Sequence, residues 1–313
     1  MIINTVEKGE GEHMNNKDVF AAYHPVVNFI FFLGMLVSTM TIFDGIFIVI
    51  SFVGAFSYGL YLGGEKFVKT VGMFVLPVMI LSIVVNLYIN QRGSTILLYF
   101  LKRPISLEAL VYGGVTAMAF ASVLMWFYAY NYVMTSDKFL YIFGKLAPTL
   151  ALVFSMVLRF IPLFQKRASL ISFGQKCIGH DMSSGNRKER TRHGTRVLSI
   201  MTTWSLENAI DTSDSMKARG YGLEGRTFYH QYHWACRDIG MISVLLGLLL
   251  VIFIGIPMLG MSVYYYPVIE WKVESRLWAV VYVGGFVWAF LPILMNVFEI
   301  IKWKYLESKI ENK

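Results

Sequence analysis

Charge is what this sequence has least of. Asp, Glu, Lys and Arg supply 15% of its 313 residues, against roughly 25% in an average soluble domain, so lipid is the expected solvent for most of the chain. Cysteine is nearly absent. The two present, Cys177 and Cys236, are far apart and belong to no Cys-x-x-Cys pair, which argues against a disulfide framework or a structural zinc site. No Gly-x-Ser-x-Gly elbow, dinucleotide fingerprint or His-Glu-x-x-His pattern occurs. Two near misses dissolve on inspection. The run from Gly59 to Lys66 carries Glu65 where a phosphate loop needs lysine, and no Ser or Thr follows Lys66. His230 and His233 are close together, but no third ligand stands at a useful spacing. Ionisable residues are also scarce inside the apolar stretches: Asp44 and Glu108 fall at their ends and Arg159 near an exit, a pattern that gives an ion-coupled carrier no internal path. No enzyme, cofactor or metal is expected.

What the sequence does have is length of apolar run. Hydrophobic residues make up 56% of it and aromatics 16%, the latter agreeing with Tyr and Trp collecting where a bilayer meets water. A spanning helix needs about 20 residues at 1.5 Å rise each. Six stretches meet that requirement: 25–42, 44–63, 67–90, 107–132, 238–257 and 277–300. A seventh, 139–163, contains Lys145, Pro148, Arg159 and Pro162 and reads as an amphipathic or partly embedded lead-in. The first 23 residues are polar and partly acidic, unlike a cleaved signal peptide. The expected fold is therefore an all-α integral membrane protein with about six transmembrane helices and a cytoplasmic helical coupling insert. Its divisions are a tail at 1–23, a four-helix membrane domain at 24–136, the lead-in and coupling helices at 137–236, membrane helices at 237–302 and a tail at 303–313.

Orientation follows from the basic residues. Between 164 and 237 lie 12 of the 28 Lys and Arg, so the positive-inside rule places this insert, and with it both termini, in the cytoplasm. The net charge of +8 is then a mark of cytoplasmic loops, and no nucleic-acid partner is expected. The loop 91–106, with Arg92, Lys102 and Arg103, opposes this assignment without outweighing it. Inside the insert, Val197, Ile200, Met201 and Trp204 recur at helical spacing. The helix they predict runs from Val197 to Arg219 and stops at Gly220. A first insert helix is expected over 164–178, with 183–188 as a flexible, basic connection, and the basic residues from Arg187 to Arg196 could also meet anionic lipid.

Ala218-Arg219-Gly220 is explained by capping alone: a basic last turn suits the helix dipole and glycine accepts the left-handed conformation after it. Its setting adds to this. Asp211 and Asp214 lie within two turns, and an arginine exposed at a helix tip can donate to carboxylates of a partner. Several stretches together resemble one family, the transmembrane T component of energy-coupling factor (ECF) transporters for vitamins and metals, the EcfT/CbiQ-like proteins. They are His24-Pro25-Val26, Leu107 to Gly113, Thr135-Ser136-Asp137 with Pro148, Leu158-Arg159-Phe160-Ile161-Pro162, Ser215 to Gly222, Gly225-Arg226-Thr227 and Arg237-Asp238.

The resemblance implies two cytoplasmic coupling helices, each ending in an Ala-Arg-Gly-like triplet that docks in a groove of one of two ABC ATPase subunits. It also implies a membrane-embedded substrate-binding S component beside the spans, and a bacterial or archaeal cell membrane as the location. Ala218, Arg219 and Gly220 would be the second tip. The first would be Lys176, Cys177, Ile178 and Gly179, where Ile178 departs from the family by holding the arginine place. Either Lys176 substitutes as a less directional charge or that groove is apolar. Asp211, Asp214 and Arg159 would be charges of the coupling helices. The competing readings are a membrane scaffold that recruits cytosolic proteins and a secondary carrier with a basic loop.

Overall fold

The computed structural model describes residues 18–90, 93–100, 103–180, 186–223, 232–258, 262–272 and 278–311. The Gly225-Arg226-Thr227 stretch, His230, Arg92, Lys102 and residues 183–185 of the expected connection lie outside them. The chain forms two compact units, one of Met1–Phe139 with Tyr232–Lys313 and one of Leu140–Gln231. The protein is an all-α integral membrane protein. By length and composition, Gly45–Ile89, Leu107–Val133, Thr149–Cys177, Cys236–Ile256 and Trp278–Lys309 can each cross a bilayer, and Pro25–Thr41 is a shorter apolar helix.

In the first unit, helices α1 (Pro25–Thr41), α2 (Gly45–Thr70), α3 (Leu76–Ile89) and α4 (Leu107–Val133) precede the insert, and α8 (Cys236–Met258) and α9 (Trp278–Glu311) follow it. Their starts are written locally. Asp44 accepts from the Ile46 and Phe47 amides at 2.8 and 3.1 Å to open α2, and Ser106 accepts from Ala109 to open α4.

The helical trace from Gly45 to Ile89 is two spans, not one. Gly45 sits beside Val115 of α4, and Asn86, 41 residues later, donates to Thr116 of the same helix at 2.9 Å. A straight helix would hold those residues about 60 Å apart. The chain reverses at Gly64, whose φ of 51° and ψ of −129° break the helix. There Phe67 folds against Gly59 and packs on Tyr128 of α4 with ring centroids 5.1 Å apart. The two arms therefore flank α4, as the separate stretches 44–63 and 67–90 predict. A π-helical turn, Val71–Val75, precedes Pro77, whose missing N–H leaves the preceding turn one hydrogen bond short.

The centre of this unit is aromatic and close-packed. Trp126, Trp288, Phe31, Phe32 and Tyr58 are fully buried, with Phe31 edge-on to Trp126 at 5.7 Å and stacked on Trp288 at 6.2 Å. Small residues let the helices approach. A Cβ on Gly54 of α2 would lie 2.8 Å from the Cβ of Ala289 on α9.

Two ends of the unit are distinct. At one, four short strands add a feature absent from the all-helical expectation: antiparallel hairpins β1 (Ile96–Phe100) with β2 (Arg103–Ser106), and β3 (Ser262–Tyr264) with β4 (Glu270–Lys272). The Ser94 amide donates to the Pro267 carbonyl, tying the two loops together. Buried Glu108 accepts from the Ser94 hydroxyl, the Thr95 amide and the Thr95 hydroxyl at 3.0, 3.1 and 2.8 Å. A carboxylate with three donors is not a vacant ion site.

At the opposite end lies a buried polar network that hydropathy does not reveal. Asp18 accepts from the Tyr58 hydroxyl and the Asn296 amide, both at 2.7 Å, and Asn296 accepts from the Val19 amide at 2.8 Å. Beside it, Lys138 donates to the carbonyls of Ala21 and Val133 at 2.6 and 3.0 Å; with the Asn28 amide turned so that its oxygen faces the ammonium, that oxygen accepts a third bond at 3.2 Å. Burial pulls the Lys138 pKa down to about 8, partly offset by Asp18. His24 stacks on Trp234 with ring centroids 3.8 Å apart, and the Arg237 guanidinium sits 4.4 Å from the Tyr23 ring. The chain thus leaves this unit after Phe139 and returns at Tyr232 at one and the same end, clasped by residues 18–28. Asp18→Ala would orphan the Tyr58 and Asn296 donors and is expected to cost about 3 kcal/mol. The measurement is the thermal unfolding midpoint in detergent; an unchanged midpoint would show that Asp18 does not hold this end together.

Candidate functional site

The second unit is built on α6 (Pro148–Cys177) and α7 (Arg187–Ala218). The expected division into a lead-in over 139–163 and a first insert helix over 164–178 is corrected here. A short α5 (Ser136–Leu146) ends at Ala147, and α6 then runs 30 residues without interruption. Pro148 explains the restart, since a proline at the first helical position gives up no bond. Pro162 forgoes one bond inside α6, yet the helix continues through it. α7 also starts ten residues before the expected Val197. Asn186 and Glu189 form a reciprocal capping box, with the Asn186 amide donating to Glu189 at 3.0 Å.

The two helices run antiparallel. Phe164 of α6 meets Trp204 of α7 edge-on at 5.3 Å, with the Arg167 guanidinium 5.0 Å from the same indole ring. Towards the end of α6, His180 lies 5.0 Å from His193 of α7, ring centre to ring centre. Towards the end of α7, Met156 and Phe160 line one groove of 510 Å³ with Ala209, Met216 and Tyr221. The end of α6 is therefore beside residue 193 and the end of α7 beside residue 156. At 1.5 Å per residue the two tips are about 40 Å apart.

Both tips have the same backbone. After α6, Gly179 has φ of 81°; its amide donates to the Lys176 carbonyl at 3.1 Å and the His180 amide to the Gln175 carbonyl at 2.9 Å. After α7, Gly220 has φ of 78°; its amide donates to the Lys217 carbonyl at 2.9 Å and the Tyr221 amide to the Met216 carbonyl at 3.0 Å. Each is a Schellman cap, which needs a left-handed residue that glycine adopts without a Cβ penalty. The register aligns Lys176 with Lys217, Cys177 with Ala218, Ile178 with Arg219 and Gly179 with Gly220. Ile178 is 67% exposed, and Ala218 and Arg219 are exposed too.

Of the charges singled out in the sequence, Asp214 pairs with Lys217 at 3.6 Å rather than with Arg219. Both partners are largely exposed, so the pair adds little stability. Among the described residues Arg219 has no ion-pair partner. Asp211 is exposed two turns back. Arg159, also exposed, lies 18 residues before Cys177 and so about 27 Å from the α6 tip. His180 and His193 were missed by sequence reasoning, which has no signal for two imidazoles brought together across a connection.

A family profile described as CbiQ, cobalt transport protein, matches residues 21–229, which is two thirds of the chain. The chain belongs to that family. The CbiQ match takes in α1 to α7 and both tips and stops before α8 and α9. Curated relatives carry the name energy-coupling factor transporter transmembrane protein EcfT. The one from Exiguobacterium sibiricum is 40% identical over 105 residues, covering 33% of this chain and 40% of the relative. That from Streptococcus thermophilus is 36% identical over 117 residues, covering 37% and 44%, and that from Lactobacillus helveticus is 36% identical over 118 residues, covering 36% and 43%. The chain thus spans about two fifths of the length of the curated relatives it matches.

Proposed function

We propose that this CbiQ-family chain is the transmembrane coupling subunit of an energy-coupling factor importer. The observation that carries the reading is the pair of identically capped helix ends, exposed and about 40 Å apart at opposite ends of one antiparallel pair. Two such ends suit two separate docking grooves, one on each of two cytoplasmic ABC ATPase subunits. Arg219 offers a planar fork of donors to acidic groups in its groove, and Ala218 and Gly220, with little or no side chain, leave the approach to it open. When the ATPases close on ATP, grooves that grip both ends would move the helices, and the motion would pass to a membrane-embedded subunit that binds the micronutrient. The relatives' names support the assignment, as does the common end at which the chain leaves and re-enters the membrane unit, which is the cytoplasmic end on this reading. Both termini would then be cytoplasmic. The chain itself would do no chemistry; hydrolysis would belong to the ATPases.

The test is purification of the tagged full chain from its native membranes with mass spectrometry of what comes with it. ABC ATPase subunits in near-stoichiometric amount are expected, together with a small, very apolar membrane protein. Recovery with cytosolic proteins that lack nucleotide-binding motifs would favour a scaffold instead. Protease cutting at 183–192 from outside intact cells would end the coupling reading, because no ATPase could reach the tips.

A further inference from the structure

The two tips share a backbone but not a chemistry, and what surrounds the α6 tip differs from what surrounds the α7 tip. The first ten positions of α7, Arg187 to Arg196, hold five basic residues, Arg187, Lys188, Arg190, Arg192 and Arg196. The one acid there, Glu189, is committed to the capping box. Cations at a helix start oppose the helix dipole, so this placement is unfavourable for α7 by itself. The antiparallel packing brings that basic end to the α6 tip. His180, held by its amide in the cap that exposes Ile178, lies against His193. Arg196 and Arg192 are near enough, after the desolvation that is the larger cause, to hold the His180 pKa below its usual value together with His193. Among the described residues the buried Nδ1 of His193 and Oε1 of Gln175 have no hydrogen-bond partner. The α7 tip has Met216 where Gln175 stands, and among the described residues it has no comparable cluster.

The geometry points to a composite docking site at the α6 tip: Arg192 and Arg196, with His180 and His193, bind an acidic surface of the ATPase subunit there, in place of the single arginine that Ile178 displaces. This rests on the coupling-subunit reading and deepens it. Ile178 would supply the apolar contact in the groove and α7 the charge beside it. The acidic occupant is favoured over a lipid surface because the cations gather around an exposed cap of the same form as the one that presents Arg219.

The experiment uses the full chain in neutral detergent and compares R192E/R196E with Arg219→Glu for retention of each ATPase subunit. The double variant is expected to weaken one subunit's retention on the order of tenfold and to spare the other, which Arg219→Glu removes. Loss of both subunits on R192E/R196E, or of neither, overturns the inference; if Arg219→Glu also removes neither, the coupling-subunit reading itself falls. If R192E/R196E changes only flotation with phosphatidylglycerol vesicles, the cluster reads lipid and the inference is wrong. A second measurement stands apart from the fate of that variant. Among the described residues, the charged and titratable groups that act on His180 are Arg192, His193 and Arg196 of α7, with Lys176 and Cys177 in the last α6 turn before it, and Asp181, next in the chain, lies outside the described residues. An acidic partner would raise the His180 pKa, so docking takes up a proton and tightens as pH falls from 8 to 6, by on the order of threefold. His180→Gln/His193→Gln should flatten that dependence; a wild-type retention independent of pH, or a slope that survives in the glutamine variant, counts against the cluster.

Discussion

Arg219→Glu is expected to remove one ATPase subunit from the purified complex while leaving the chain folded and inserted. The cap at residue 219 is held by backbone bonds from Gly220 and Tyr221 and by the left-handed glycine, none of which involves the guanidinium. Folding therefore loses only the small penalty for an acid at the negative end of a helix, about 0.3–1 kcal/mol. Docking loses much more. On the proposed docking, a fork of donors that meets acidic groups would become a carboxylate facing carboxylates, and like-charge contact across a desolvated interface is expected to weaken association on the order of a hundredfold or more. Co-purification at fixed detergent and salt measures it. Arg219→Gln, which removes charge without repulsion, should fall between. Ile178→Ala should lose less than Arg219→Ala, since it gives up contact area and no charged bond. Full recovery of both subunits with Arg219→Glu would take this residue out of the docking role.

Gly54→Leu is expected to be the most damaging single change to the membrane unit. Gly54 sits where α2 crosses α9, and its added Cβ would lie 2.8 Å from the Ala289 Cβ and 3.2 Å from the Ala289 carbonyl oxygen. Backbone cannot swing aside as a flexible side chain can, so the helices must separate. Overpacking a close-packed interface costs about 1–3 kcal/mol and more when backbone must move. Here the separation would also pull on Gly285, set against Phe47, and on the Asn296 bond to Asp18. Loss of a monodisperse species in detergent, or a midpoint many degrees lower, is the expected result, with Gly54→Ala intermediate. This also tests α9 itself, which lies beyond the residues matched by the CbiQ profile. Wild-type stability in Gly54→Leu would mean that α9 does not pack there.

The local features of this chain were legible because each depends on neighbours in sequence. Runs of apolar residues gave the spans, since a helix in lipid must satisfy its own backbone and cover about 30 Å. Gly220 marked the end of α7, but its start was missed: the capping box of Asn186 and Glu189 lies among basic residues that read as a loop, and the helix was expected only from Val197. Pro162 suggested a boundary that α6 does not respect. The family resemblance rested on motifs spread along the chain, and it reached the α7 tip directly and the α6 tip only by counting.

Sequence alone determined that this protein lives in a membrane, that a basic helical insert interrupts its spans, and that a glycine closes each insert helix. These are consequences of solvent, charge and backbone sterics acting within a few turns. Only the tertiary structure decided that the chain doubles back at Gly64, that Asp18, Tyr58 and Asn296 form one buried network with Lys138 beside it, and that α6 and α7 lie antiparallel with the basic start of one against the tip of the other. Those facts join residues up to 278 positions apart, and such pairings are selected by packing and by the need to satisfy buried polar groups, neither of which leaves a periodic trace in the sequence.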